Sequence, residues 1–285
     1  MKNYLSKITA IIVLYNVTDL ILKSLENLRN VKIIIADNGD NDQALIDKIK
    51  EKKNIIKYYK FKKNLGFGRA INFCFKKVET EYSLLIEPDV FINEEDIVNL
   101  IKGYDKYPNA GMLVPTLINK EGKNVDQLDN LPELKQLELK KRDKNNFDGD
   151  VCTFFCWAAI LLVNNKIIKK TELFNKKIFL FWEDFYLCRK LKNAKIPIIK
   201  IYNSKALHLE NASSKKNIKT KFIIYKHHIL SSYIYFNVNK NEKFLKKKLI
   251  VYFFRSISYL LIFNFENSLK NFARLCAVKT YLNQK

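Results

Sequence analysis

Glycine and proline are scarce in this 285-residue chain, 7 and 5 respectively. That scarcity excludes collagen-like and linker-rich architectures, and a hydrophobic content of 48% excludes disorder, because there is ample apolar side chain to bury. Five cysteines, an odd number without framework spacing, exclude a disulfide scaffold and point to a reducing compartment. Nor does the N-terminal run read as a cleavable leader. The apolar run after MKNYLSK ends in Tyr15-Asn16 with no small-residue cleavage site, so it reads as a first strand of a cytoplasmic protein. No long membrane-spanning run is legible either. The most apolar part of the tail, Leu249 to Phe263, is 15 residues with Arg255 inside it. That is too short for a span and better suited to an amphipathic helix lying in a membrane interface.

Acidic residues are outnumbered, 29 Asp+Glu against 51 Lys+Arg, for a formal charge of +22. The excess is uneven. Residues 211–285 hold 15 Lys/Arg and 2 Asp/Glu, a net of +13, interleaved with Phe, Tyr, Ile and Leu. Such a tail suits an anionic surface, either a membrane or a nucleic acid.

Along the chain, Ile8–Leu14 and Val31–Ala36 are apolar, β-branched runs that fit buried strands. Leu20, Ile21, Leu25 and Leu28 fall at helical spacing over 18–29, with Thr18 as the expected N-cap. A helix over 42–52, a strand over 55–60, a helix over 69–78 and a strand over 82–86 follow. Alternation of this kind predicts an α/β domain with a mainly parallel sheet, whose ligands bind beyond the carboxyl ends of the strands. Residues 119–150 read as a polar excursion around Pro132. An apolar stretch over 151–163, a helix to about Asn193 and a strand over 196–201 come next, and the tail from 217 reads as helical. The expected domains are 1–214 and a basic, aromatic, helical region over 215–285.

Several residues could carry chemistry. Asp37 ends a buried strand before Asn38-Gly39; it could accept from a base or ribose hydroxyl, or simply make a turn. Asn64-x-Gly66-x-Gly68-Arg69 opens a helix, where glycines permit close backbone approach and Arg69 can meet a phosphate. This is not the dinucleotide fingerprint. Glu87-Pro88-Asp89 at a strand end can hold a hard divalent cation, or be a solvated turn. Glu183-Asp184 emerges from five apolar or aromatic residues, a setting that can tune a carboxylate toward general-base work; a helix cap is the plain alternative for one of the two. His208 gains interest only where it converges on Asp89. Cys152 and Cys156 lack a second ligand pair for zinc, and Cys74 and Cys188 read as helix core. His227-His228 on the tail is open to a surface or lipid-headgroup role.

Taken in order, IIVLYN, IIIADNG, NLGFGRAINFCF, LLIEPDV, LFWEDFYLCRKL and AKIPIIKIYNSKALHLENASS resemble family 2 glycosyltransferases, especially the bacterial branch that includes rhamnosyltransferases. The order and spacing, from about Thr9 to Ser214, carry the resemblance. It implies a glycosyltransferase A-type fold and a dTDP- or UDP-sugar donor. It also implies Mg²⁺ or Mn²⁺, and a glycan or lipid-linked glycan acceptor at the inner face of the cell membrane. By this resemblance Tyr15, Asn16 and Asp37 flank the base and ribose, Asn64, Gly66 and Arg69 line the donor pocket, and Asn38 counts among the donor-binding residues. Asp89 and His208 would bind metal, with Glu87 beside them. Asp184 would be the catalytic base of an inverting transfer, paired with Glu183 toward the acceptor. Asp40, Asn175-Lys176 and Cys156-Trp157-Ala158 depart from the family pattern. Two other readings stand beside this one. A nucleic-acid-binding protein would use the basic tail, although no such motif is present and the acidic strand ends would repel phosphate. A catalytically inactive, sugar-binding relative is the other.

Overall fold

A computed structural model describes residues 2–125, 131, 148–168, 172–209, 217–240 and 243–284. Most of the excursion expected around Pro132, the boundary expected at 214 and the ENASS end of the last motif lie outside the described residues. The chain forms two compact units. One comprises residues 1–176 with 184–215, the other 177–183 with 216–285.

The first unit opens with a short helix α1 (Lys2–Leu5), then β1 (Ile8–Leu14), α2 (Leu20–Asn27), β2 (Lys32–Asp37), α3 (Gln43–Lys50), β3 (Ile55–Lys60), α4 (Phe67–Phe75) and β4 (Tyr82–Ile86). These strands lie side by side and parallel in the order β3-β2-β1-β4. Every residue of β1 is buried, which is why its sequence is apolar without alternation. The edge strand β3 is only half-buried, with Ile56 and Lys60 exposed.

The helices differ from expectation at their starts. α2 begins after Asp19 rather than Thr18, and the Asp19 side chain makes no capping hydrogen bond. α4 begins two residues earlier than its apolar spacing suggests, because Gly66 takes a φ of 83° and turns the chain into the helix. α3 has the cap its sequence offers, Asp42 accepting from the Leu45 amide at 3.0 Å.

Beyond β4 the sheet becomes mixed. β5 (Val90–Phe91), α5 (Glu94–Lys106), β6 (Met112–Ile118), β7 (Val151–Thr153) and β8 (Ile160–Asn164) follow, then α6 (Glu183–Asn193) and β9 (Ile198–His208). β8 inserts antiparallel between β4 and β6, while β9 runs parallel to β6 and antiparallel to β5 and β7. α5 was not apparent from apolar spacing. Asn93 caps it by accepting from the Asp96 amide at 2.7 Å, and Glu94, Glu95 and Asp96 favour its first turn through the helix dipole. Gly103 lets α5 approach the sheet, since a Cβ there would stand 2.8 Å from Ile201 Cδ1. A core drawn from β1, β2, β4 and β8 with α2, α3 and α5 holds the layers together.

The second unit contains α7 (Ile218–Tyr235), α8 (Lys243–Leu261) and α9 (Phe265–Asn283) around a core that includes Leu230, Leu245, Tyr252, Val278 and Tyr281. Among the described residues, no helix is long and apolar enough to cross a membrane.

Candidate active site

The turn after β4 is fixed by the backbone. The Glu87 amide donates to Ala159 O at 2.9 Å and the Val90 amide to Glu87 O at 3.1 Å, so Glu87 and Asp89 are held at the carboxyl edge of the sheet. β5 then pairs with the end of β9, setting Val90 opposite His208, and the Leu209 amide donates to Asp89 O at 3.1 Å. That pairing brings together Asp89 and His208, 119 positions apart in sequence. His208 Nε2 lies 3.7 Å from Glu87 Oε2 and 4.0 Å from Asp89 Oδ1. Ligand atoms of Glu87, Asp89 and His208 all fall within 4.8 Å of one another.

Two carboxylates and an imidazole in that space could hold a divalent cation. The electrostatics agree with that reading. Burial, then the charges of Asp89 and Asp184, push Glu87 up to about 8. A site crowded with negative charge is one that a cation relieves.

Asp184 begins the part of α6 that belongs to the first unit, near enough that its charge reaches Glu87. Burial raises its carboxyl to about 7, against the lowering effect of backbone amides, among them Phe185 N at 2.8 Å from Oδ1. A carboxylate poised there can accept a proton near neutral pH. It bonds to the amide one residue on, so it does not act as a helix cap, which would reach two or three residues on. Glu183 beside it is buried. Immediately before the pair, Phe181 and Trp182 both take positive φ, 62° and 66°, an uncommon conformation for bulky side chains. Within the second unit the turn is held by α7: Ser231 Oγ donates to Leu180 O at 2.7 Å, and Trp182 Nε1 to His228 O at 3.1 Å.

The other candidate residues gather at the ends of β1 and β2. Asn38 and Asn64 exchange bonds with the glycine loop: Asn38 Nδ2 donates to Asn64 Oδ1 at 2.8 Å, while Asn38 Oδ1 accepts from Leu65 N at 2.7 Å. Asn64 Oδ1 also accepts from the Gly66 amide at 2.8 Å. Tyr15 packs against Gly39, where a Cβ would come within 2.8 Å of the ring, so no larger residue fits that turn unmoved. Asn16 has a φ of 49°, and among the described residues its buried Oδ1 has no hydrogen-bond partner. A buried acceptor left open beside a strand end is a place for a ligand donor.

Asp37 is engaged within the protein. Its Oδ1 accepts from Asn41 Nδ2 at 2.6 Å and Gly39 N at 3.4 Å, and its Oδ2 takes the Tyr58 hydroxyl at 2.5 Å and Lys60 Nζ at 3.0 Å. With these partners it shapes the turn after β2. Arg69 is exposed, with Nε donating to Lys176 O at 2.6 Å.

The chain matches the profile of glycosyl transferase family 2 over residues 9–169. It belongs to that family. The glycosyltransferase is 23% identical over 245 residues to rhamnosyltransferase WbbL of Escherichia coli, covering 79% of this chain and 90% of that one. It is 29% identical over 125 residues to poly-beta-1,6-N-acetyl-D-glucosamine synthase of Staphylococcus aureus. That match covers 41% of this chain and only 30% of the synthase.

Solved structures share the fold. Mannosyltransferase PcManGT from Pyrobaculum calidifontis, in complex with GDP-Man and Mn²⁺, superposes with a TM-score of 0.57 at 11% identity, over 98% of this chain and 75% of that one. TarS of S. aureus with UDP-GlcNAc gives 0.54 at 16%, over 88% and 72%. GalNAc-T7 with UDP, GalNAc and Mn²⁺ gives 0.57 at 12%, over 79% and 48%. The fold is of the glycosyltransferase A type.

Some residues of this site escape a reading of the sequence. Asn72 on α4 donates to Phe174 O at 2.8 Å and accepts from the Leu173 and Phe174 amides, both at 2.9 Å. It thus clamps the segment before the acidic pair to the helix behind the glycine loop. Tyr58 and Lys60 close on Asp37 from β3. An asparagine inside an apolar helix face was the only available signal for the first, and nothing marked the other two. His227 was open to a surface role, but it stacks on Phe179 with centroids 4.4 Å apart, and burial lowers it to about 4. Cys74 and Cys188 are buried in α4 and α6, as their positions suggest.

Proposed function

We propose that this glycosyltransferase is a metal-dependent, inverting hexosyltransferase. It would move a sugar, rhamnose foremost, from a dTDP- or UDP-sugar to a glycan or lipid-linked glycan in surface polysaccharide synthesis. The observation that carries the reading is the convergence of Glu87, Asp89 and His208 at the carboxyl edge of the sheet, with Asp184 close by. Rhamnose is supported by the similarity to WbbL, which extends over most of both chains. A uridine donor is supported by the ligands of TarS and GalNAc-T7.

In this reading Tyr15, Asn16 and Asp37 flank the base and ribose, while Asn38, Asn64, Gly66 and Arg69 line the donor pocket. Asp89 and His208, with Glu87, hold Mg²⁺ or Mn²⁺, which when bound stabilises the charge developing on the leaving diphosphate. Asp184 takes the proton of an acceptor hydroxyl while its oxygen bonds to the anomeric carbon. The bond from that carbon to the diphosphate breaks on the opposite side, so the configuration inverts. Glu183 would orient the acceptor.

Residues 1–214 form the transferase domain in this account, and 215–285 associate with the anionic inner face of the membrane. Each Lys or Arg near such a surface adds about 1 kcal/mol of attraction. The test is release of nucleoside diphosphate from dTDP-rhamnose, UDP-GlcNAc and UDP-galactose, with Mn²⁺ or with a chelator. Metal-dependent release from one donor is expected. No release from any, with tight salt-sensitive binding to DNA or RNA, would favour the nucleic-acid reading. Nucleotide binding without turnover would mark an inactive relative.

A further inference from the structure

In the second unit, the inward face of α8 is spent on packing. Leu245 and Tyr252 are buried against Leu230, Val278 and Tyr281. Near its far end, Ser256 Oγ donates to Ser268 O at 3.1 Å and Ser268 Oγ to Ser256 O at 2.9 Å, which fastens α8 to α9. The opposite face should then be polar, as on an ordinary surface helix. It is not. Ile250, Phe253, Phe254, Ile257, Leu260 and Leu261 recur there at three- and four-residue spacing, all exposed. The run continues through the turn into α9 with Ile262, Phe263 and Phe265; Leu261 is 73% and Phe263 79% exposed. A contiguous apolar surface of this kind marks an interaction site rather than scattered exposure.

Charge on the same face identifies the partner. Lys243, Lys246 and Lys247 are exposed on the N-terminal half of α8, in line with the apolar stripe. At 1.5 Å per residue, Lys247 stands about 10 Å along the axis from Phe254 and about 20 Å from Leu261. Residues 243–265 contain no Asp or Glu, and the next acid, Glu266, is already engaged by Lys221 and Tyr225, each at 2.7 Å. A second copy would set this basic face against itself. Nucleic acid would satisfy the lysines and leave the phenylalanines in water. A bilayer with anionic headgroups over an acyl interior matches both halves.

We propose that the outward face of α8 and its turn into α9 insert obliquely into the acyl boundary of an anionic membrane, with Lys243, Lys246 and Lys247 at the level of the phosphates. This rests on the reading that the enzyme works at a membrane face, and adds insertion to electrostatic attraction. The test uses the full chain with vesicles of phosphatidylcholine, with and without phosphatidylglycerol. Wild type should float with the anionic vesicles. F263S/F265S should lose at least tenfold in partitioning, and K246Q/K247Q should lose its preference for phosphatidylglycerol. In F263W the new indole should shift to the blue on binding and be quenched by brominated acyl chains.

Flotation unaffected by F263S/F265S, or no quenching in F263W, would overturn insertion. So would a concentration-dependent dimer that F263S/F265S abolishes, which would assign the face to a second copy. Titration of the same variants with UDP or dTDP and Mn²⁺ separates this surface from the donor site. Lost flotation in F263S/F265S with nucleotide binding kept supports the proposed surface, whereas wild type that floats but binds no nucleotide counts against the donor reading alone.

Discussion

Asp184 and Glu87 are carboxylates that the fold keeps hard to ionise, raised to about 7 and about 8, chiefly by burial. If Asp184 is the base, Asp184→Asn lowers kcat by roughly 10²–10⁴ and leaves donor affinity in place. Steady-state kinetics beside nucleotide titration check this, and near-normal turnover would refute the assignment. The same shifts make a stability prediction. A group raised above its unfolded value keeps a proton in the folded state that the unfolded chain has lost, so stability falls as pH rises through that interval. His227, lowered to about 4 by burial, acts in the opposite sense below its ordinary value of 6.5. Between about 6.5 and 8, therefore, the carboxylates contribute a downward slope. In chelator, the urea midpoint should decline across that range, and Glu87→Gln should flatten the decline. A slope unchanged by that substitution would show that Glu87 is not held as described.

At the level of elements, Gly68 places α4 against the segment that leads to the acidic pair. A Cβ there would stand 2.8 Å from Phe174 Cβ, an atom that cannot swing aside. Gly68→Ala should cost about 1–3 kcal/mol through this overlap, more than the helix gains by losing a glycine. Gly149→Ala, where the space around a Cβ is open, should change stability by less than about 0.5 kcal/mol. Equal urea midpoints for the two variants would contradict this packing.

Legibility also divided along the elements. β1, β2 and β4 were plain because strands covered on both faces are written as largely apolar runs, and half-buried β3 by its β-branched and aromatic residues. β5 was invisible, being two residues long and defined only by its partner β9. Yet that short pairing is what carries His208 to Asp89. Glu87 and Asp89 were readable as a cation-holding pair from one turn. Their meeting with His208 was implied by family resemblance, since no local pattern encodes a distant ladder. Asp37 was readable as a strand-end acid, but not as one whose Oδ2 meets Tyr58 and Lys60 of β3. Residues 90–118 gave no prediction, because the helix and strand there depend on caps and on packing against β9.

Across the whole molecule, positive charge is concentrated toward the end of the sequence, away from the candidate site residues. The net +13 over residues 211–285 suits an anionic surface, while the candidate site gathers carboxylates at a sheet edge. Those carboxylates make a polyphosphate an unfavourable ligand without a cation and a favourable one with it. Nucleotide binding should thus be metal-dependent through Asp89. Calorimetric titration of wild type and Asp89→Ala with UDP and dTDP, with and without Mn²⁺, tests it most directly. Wild type should bind one of the two nucleotides only when Mn²⁺ is present, and Asp89→Ala should lose that dependence together with the binding. Nucleotide binding of equal strength in chelator, or an unaltered metal response in Asp89→Ala, would contradict the account.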